Sequence, residues 1–312
     1  MHFNKGISGK ERLRRIVLPG FDGVSLDHVF RFVVKGFRKG VLVTRASSIA
    51  FNLLLALLPG SIFLFTLIPF IPIPNFQNEL IDLFKNMLPL NAFSFLETTI
   101  IDIVTNKSGG LLLTMFVATI IFSTNGIHAI IHAFVVSAHS FQSRSWIHQR
   151  KISIILLLIV IMMIALAGFL VIFGKMVVNY LVAIDILEKS LVISIIVFIK
   201  WILVIVLLFM AISFLYYLSP ARRGGFRFIS PGSSLATILF IVTSLGFSAY
   251  VNNFGQYNKL YGWIGTLIVI LIWLYLNSIA LLIGFELNVS IKDAREEEEE
   301  RNRIISCNEE TS

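Results

Sequence analysis

A single cysteine, Cys307, stands in a polar stretch near the C-terminal end. One sulfur cannot close a disulfide within the chain or build a thiolate metal site. Charge is scarce as well: Asp, Glu, Lys and Arg make up 14% of residues, against roughly 25% in an ordinary soluble domain. The stretches between the apolar runs on the basic side offer His139, Arg144 and His148 but no Asp or Glu. Phosphodiester cleavage there would lack metal-binding carboxylates and a hydrated acid–base pair. No ten-residue alternation marks a membrane β-barrel. No internal repeat appears, so the inverted-repeat signature of many transporters is missing. Residues 1–45 carry ten Lys or Arg and no short apolar core ahead of a small-residue cleavage site, so no cleavable signal peptide is expected.

What is abundant is apolar sequence, 56% of the chain. A helical crossing needs about 20 mostly apolar residues. Six runs meet that length: Ala46–Phe70, Gly110–Val136, Ile152–Val178, Leu191–Leu218, Pro231–Val251 and Leu260–Ile291. The expected fold is therefore all-α, a polytopic membrane protein with about six transmembrane helices. Twenty Lys and Arg fall on one set of span ends and five on the other. By the positive-inside rule both termini are cytoplasmic, which an even number of crossings requires. The net charge of +8 thus reports orientation in a bacterial-type cytoplasmic membrane, and no nucleic-acid partner is expected. The expected domains are a basic cytoplasmic segment (1–40), a transmembrane domain (41–291) and an acidic cytoplasmic tail (292–312).

Before the first span, Phe30, Val33, Val34 and Phe37 recur at helical spacing, with Arg31, Lys35, Arg38 and Lys39 on the opposite face. This basic amphipathic helix is expected to lie on the anionic inner leaflet; packing on the protein's own loops is the alternative. Pro72 and Pro74 end the first run, and an amphipathic stretch follows from Phe76 to Leu88. The acidic run Glu296–Glu300 reads as solvated helix or disorder rather than a site.

Strongly polar side chains inside a span are costly, so each poses a functional question. In the first span, Pro59 is expected to kink the helix, with Asn52 two turns earlier; packing through small residues is the plain alternative. The second span carries Asn125-Gly126, then His128 and His132 on one face. That pair falls short of a metal site without a third ligand, and no metal or cofactor is expected. Lys200 precedes eighteen apolar or small residues, which reads as an interfacial anchor or else a buried functional charge. Glu286 is the only carboxylate within a run, near its cytoplasmic end; Arg45, Arg222 and Arg223 share its side and are the expected partners. It reads equally as a structural salt bridge or as a gating residue, with Asn288 beside it. Asn253, Tyr257, Asn258, Tyr261 and Gly262 line the short external turn between spans five and six, a candidate external gate or a plain turn. Ala280 and Gly284, four apart, permit close helix contact within the chain or between copies in an oligomer.

Several of these passages resemble the YihY family, also called the BrkB virulence-factor family and once labelled ribonuclease BN. The likeness runs through "RASSIAFNLLLALLP" (45–59), Asn125-Gly126, "YLSPARRGGFRFISPGSSLA" (217–236), "FGQYNKLYGWIG" (254–265) and "GFELN" (284–288). It implies a six-span cytoplasmic-membrane protein of a kind for which export of a lipid or envelope precursor, solute transport and serum resistance have been proposed. It also implies that the ribonuclease label is a misassignment. The leading expectation is a transporter or flippase-like protein, not an enzyme, for a lipidic or envelope-related substrate. Glu286 would couple or gate, Asn52, Asn125, Pro59 and Asn288 would line the path, and Arg31, Lys35, Arg38, Lys39, Arg45, Arg222 and Arg223 would contact anionic lipid. The alternative is a non-transporting membrane scaffold or regulator, in which every intramembrane polar residue is dispensable.

Overall fold

The computed structural model describes residues 41–70, 107–137, 145–183, 191–220, 228–253 and 257–310. Six α-helices account for most of them: α1 (Val41–Leu67), α2 (Gly109–Ser137), α3 (Trp146–Ala183), α4 (Leu191–Leu218), α5 (Pro231–Asn253) and α6 (Tyr257–Glu310). A short 3₁₀ turn, Ile68–Phe70, follows α1. All six helices contain a segment long and apolar enough to cross a bilayer, and no strand occurs among the described residues. This is an all-α membrane protein. Helices are required because only a helix satisfies its own backbone hydrogen bonds in lipid.

The chain divides into two compact units, 51–126 and a larger one formed by 1–50 with 127–312. In the smaller unit α1 and α2 run antiparallel. A Cβ on Gly126 would lie 3.1 Å from the Leu53 side chain, and one on Gly60 would lie 3.7 Å from the Thr119 methyl. Phe63 and Phe116 meet at 5.4 Å between ring centroids. Gly126 also lets α2 approach the Asn52 backbone carbonyl, 3.7 Å from the position its Cβ would take. Pro59 is buried and α1 continues as helix on both sides of it.

In the larger unit α6 is central. From Asn277 to Val289 nearly every residue is buried, whereas α3 and α4 turn rows of large apolar side chains outward, among them Leu158, Met162, Phe198 and Trp201. A helix surrounded on all sides sits inside a bundle, and one with an exposed apolar face sits against lipid. Lys200 on α4 lays its methylenes over Gly174 of α3, where a Cβ would come within 2.9 Å of Cδ. Its ammonium stands 5.3 Å from the Trp201 ring centroid, a distance suited to cation–π attraction.

Two boundaries differ from the sequence reading. Helix α6 does not end with its apolar run; it continues through the acidic block to Glu310, a rod of about 80 Å at 1.5 Å per residue. Glu, Arg and Ala are strong helix formers and keep the helix going in water. The turn between α5 and α6 is also shorter than expected. Asn253 is the last residue of α5, and Tyr257, Asn258, Tyr261 and Gly262 already belong to α6. The proposed gate is thus two helix ends rather than a loop, and the side chains of these five residues lie outside the described residues. So do the amphipathic segment with Arg31, Lys35, Arg38 and Lys39, the stretch 76–88, and Arg222 and Arg223.

Candidate functional site

One cluster of polar groups in the larger unit lies where the start of α1, the start of α5 and the later part of α6 meet. Helix α5 begins with Ser230-Pro231-Gly232-Ser233, in which Pro231 supplies a preset φ and has no N–H to leave unsatisfied. The Ser230 amide donates to the Ser233 hydroxyl at 3.1 Å, and the Ser233 amide donates to the Ser230 hydroxyl at 3.2 Å. This is the reciprocal arrangement of a capping box with serine in the third helical position. The Gly232 amide donates to the Asn288 side-chain oxygen at 2.8 Å, and the Asn288 amide donates to the Ser230 hydroxyl at 2.9 Å. Asn288 therefore spends both ends of its carboxamide in tying α6 to the α5 N-terminus.

One turn earlier on α6 the backbones of Gly284 and Gly232 touch. A Cβ on Gly232 would strike the Gly284 carbonyl oxygen, and a Cβ on Gly284 would strike the Gly232 carbonyl and lie 2.6 Å from the Tyr216 hydroxyl and from the Ala236 methyl. Tyr216, fully buried on α4, donates its hydroxyl to the Leu281 carbonyl at 2.6 Å. Its ring meets Phe285 edge-on, and Phe285 stacks on Phe134 of α2 at 4.2 Å. Small residues, aromatic packing and satisfied polar groups make this a clasp of α2, α4, α5 and α6.

Glu286 sits on the flank of that clasp. Its Oε1 accepts from Arg45 Nη1 of α1 at 3.3 Å. The side chains are 15% and 11% exposed for Arg45 and Glu286, so both charges are largely withdrawn from solvent. Arg45 is thus a partner of Glu286, as expected of it; Arg222 and Arg223 lie outside the described residues. Apart from Asp293, the last residue of its span, Glu286 is the sole carboxylate in the six spans.

A second polar cluster, not singled out from sequence, lies nine residues back along α6. Asn277 is buried; its oxygen accepts from the Thr243 hydroxyl at 3.1 Å and its amide donates to the Trp273 carbonyl at 2.9 Å. The Trp273 indole N–H donates to Ser244 at 3.2 Å. An amide inside an apolar run was the available signal, the same one that drew attention to Asn52 and Asn125. The Leu239 carbonyl, 2.7 Å away, competes with Asn277 for the single Thr243 hydroxyl proton. Thr243→Val should therefore cost only about 0.6 kcal/mol, the usual worth of such a bond between membrane helices. Unfolding of the two proteins by SDS titration measures this; a loss above about 2 kcal/mol would mean the cluster carries the α5–α6 contact.

Asn52, Pro59 and Asn125 belong to the smaller unit, with Asn52 and Asn125 half-buried. His128 is half-buried and His132 exposed. Among the described residues no three His, Cys, Asp or Glu side chains come together as metal ligands.

Comparison with known proteins adds the following. The family model described as virulence factor BrkB matches residues 33–304. A ribonuclease-like protein of Bacillus subtilis, YfkH, is 31% identical over 245 residues, 78% of this chain and 88% of that protein. The UPF0761 membrane protein IL2447 of Idiomarina loihiensis is 33% identical over 96 residues, 31% of this chain and 34% of that one. The UPF0761 membrane protein PSHAa0171 of Pseudoalteromonas translucida is 38% identical over 77 residues, 25% of this chain and 26% of that one. No solved structure matches the chain.

Proposed function

This chain belongs to the virulence factor BrkB family, and within it we propose a transporter or flippase-like protein for a lipidic or envelope-related substrate. One observation carries the reading: the Arg45–Glu286 pair within the bundle. A largely buried ion pair is a poor way to gain stability, because desolvating both charges offsets their attraction. The neighbouring glycine and Asn288 clasp already joins α5 to α6 without any charge. Charges kept in a membrane span despite that cost mark pathways and gates.

In this reading an anionic headgroup arriving at the same end competes with Glu286 for the Arg45 guanidinium. The guanidinium suits it, since its planar fork binds phosphate and carboxylate alike. Exchange of partners frees α1 from α6 and couples substrate arrival to movement. The ribonuclease-like name belongs to YfkH; here Glu286 pairs with an arginine, and among the described residues it is not grouped with other metal-ligating side chains, which favours movement over hydrolysis.

The test is reconstitution into liposomes with a labelled anionic lipid, comparing wild type, Glu286→Gln and empty vesicles. Flux above the empty vesicles should fall at least tenfold in the variant; equal flux in both proteins would remove Glu286 from the mechanism. Asn52→Leu and Asn125→Leu, read in the same assay, assign those amides to the path or to packing.

Placement in the cytoplasmic membrane with both termini inside is part of the proposal, supported by the basic bias of one set of span ends. The lone Cys307 provides the check. A membrane-impermeant maleimide should label it only after cells are permeabilised, and labelling of intact cells would invert the orientation.

A further inference from the structure

We propose that Lys200 and Gly174 form a docking position for the phosphate of an anionic lipid, at the end of α4 far from Glu286. Lys200 stands sixteen residues before Tyr216 on α4, about 24 Å along the helix. Tyr216 packs on Phe285, the neighbour of Glu286. The position therefore belongs to neither polar cluster described above.

Its geometry follows from a missing side chain. Measured from the place a Cβ would take on Gly174, the Lys200 Cβ, Cγ and Cδ lie at 4.0, 3.5 and 2.9 Å. The lysine thus leaves α4 and crosses onto the α3 backbone, which only a glycine leaves open to it. The Trp201 ring, 5.3 Å from the ammonium, steadies the far end of the side chain. The seam so formed faces outward. Val171, three residues before Gly174, is exposed, and so are Val197 and Leu203, three residues either side of Lys200. Residues three apart share a helix face.

A cation within a span calls for a counter-charge, and the two helices supply none. Neither α3 nor α4 contains an Asp or Glu. The Lys200 ammonium has neither a hydrogen bond nor an ion pair among the described residues. The next acids along the chain, Asp185 and Glu188, precede α4, and about 13 Å of helix separates Lys200 from the start of α4. An apolar outward seam meets lipid, and the anion that a lipid brings is its headgroup phosphate. Free phosphate has no hydrocarbon to lay on these side chains. The inference does not rest on the transport reading, since binding is measured without flux.

Trp201 is the reporter, because it adjoins the ammonium and is exposed. The full chain keeping Trp201 alone, with Trp146→Phe, Trp263→Phe and Trp273→Phe, is placed in liposomes of phosphatidylglycerol and phosphatidylcholine. One lipid at a time carries bromine on its acyl chains, and quenching of Trp201 gives their relative association at this position. Phosphatidylglycerol should be preferred about tenfold, the usual effect of one hydrogen bond to a charged group. Lys200→Gln in this background should abolish the preference, and Lys200→Arg should retain it. Gly174→Leu, which fills the seam, should lower it severalfold. Gly168→Leu should leave it unchanged, since nothing lies within 4 Å of a Cβ there. Helicity and elution volume identify a misfolded variant. Equal quenching by the two lipids before any change at Lys200, or an undiminished preference in Lys200→Gln, overturns the proposal. Loss of the preference with inorganic phosphate, but not with chloride at equal ionic strength, overturns lipid as the occupant and keeps the anion site.

Discussion

Gly284→Val will fail to yield a stable protein, while Gly246→Val will fold as wild type does. Around Gly246 nothing lies within 4 Å of the position a Cβ would take. Around Gly284 a Cβ meets the Gly232 carbonyl, the Ala236 methyl and the Tyr216 hydroxyl together. Two of these obstacles are firmly placed: one is backbone, and the other is held by its bond to the Leu281 carbonyl. Overfilling an ordinary core site costs about 1–3 kcal/mol through shifted side chains. Here the helices themselves must separate, and separation also breaks the Asn288 bond to the Gly232 amide. A loss above about 3 kcal/mol is a large share of the 5–15 kcal/mol typical of a folded domain. Gly232→Val should behave likewise, since the clash is reciprocal. Retention of a monodisperse peak after heating in mild detergent measures both. A Gly284→Val protein as heat-resistant as wild type would mean that α5 and α6 are free to move apart.

The second large effect concerns the ion pair, and it should be asymmetric. Glu286→Leu leaves the Arg45 guanidinium withdrawn from solvent with its carboxylate gone. Breaking a buried pair from one side costs about 3–5 kcal/mol, and the residual exposure of both side chains places this pair at the lower end. Arg45→Leu should cost less, because a carboxyl group can take up a proton whereas a guanidinium cannot give one up. The double variant Arg45→Leu/Glu286→Leu removes both charges and should recover most of the stability of wild type, as apolar replacements of buried pairs do. Denaturation midpoints of the four proteins give the coupling energy directly. Stability and transport then separate: the double variant should be stable yet inactive in the liposome assay. A double variant that moves lipid normally would reduce the pair to a structural contact.

Much of this architecture is legible in the residues. The length of an apolar run sets the number of crossings because bilayer thickness sets the length of a span, and all six expected runs are helices. A carboxylate inside an apolar run announces itself because it is costly there, so Glu286 stood out, as did the arginines able to reach it. Asn288 was marked as well, but its task was not: an amide in a sequence does not reveal that it caps a helix starting 57 residues earlier. Asn277 escaped notice although it carries the same signal as Asn52, and nothing in the local sequence marks Tyr216 as a buried clasp residue. The acidic tail shows a related limit, for composition marks it as solvated and does not choose between coil and the continued helix found.

Apolar length, charge bias and the rarity of acids in the spans were thus decided residue by residue, since each depends only on transfer between water and lipid. Tertiary structure alone decided which small residues meet and that Arg45 reaches Glu286. Gly284 and Ala280 permit close approach to any helix, in this chain or another. It is the contact with Gly232 and Ala236 in the same chain that brings the α5 N-terminus to Asn288, while α1 separately brings Arg45 to Glu286. Such choices rest on backbone proximity across more than 50 and more than 200 residues of sequence, which no local pattern encodes.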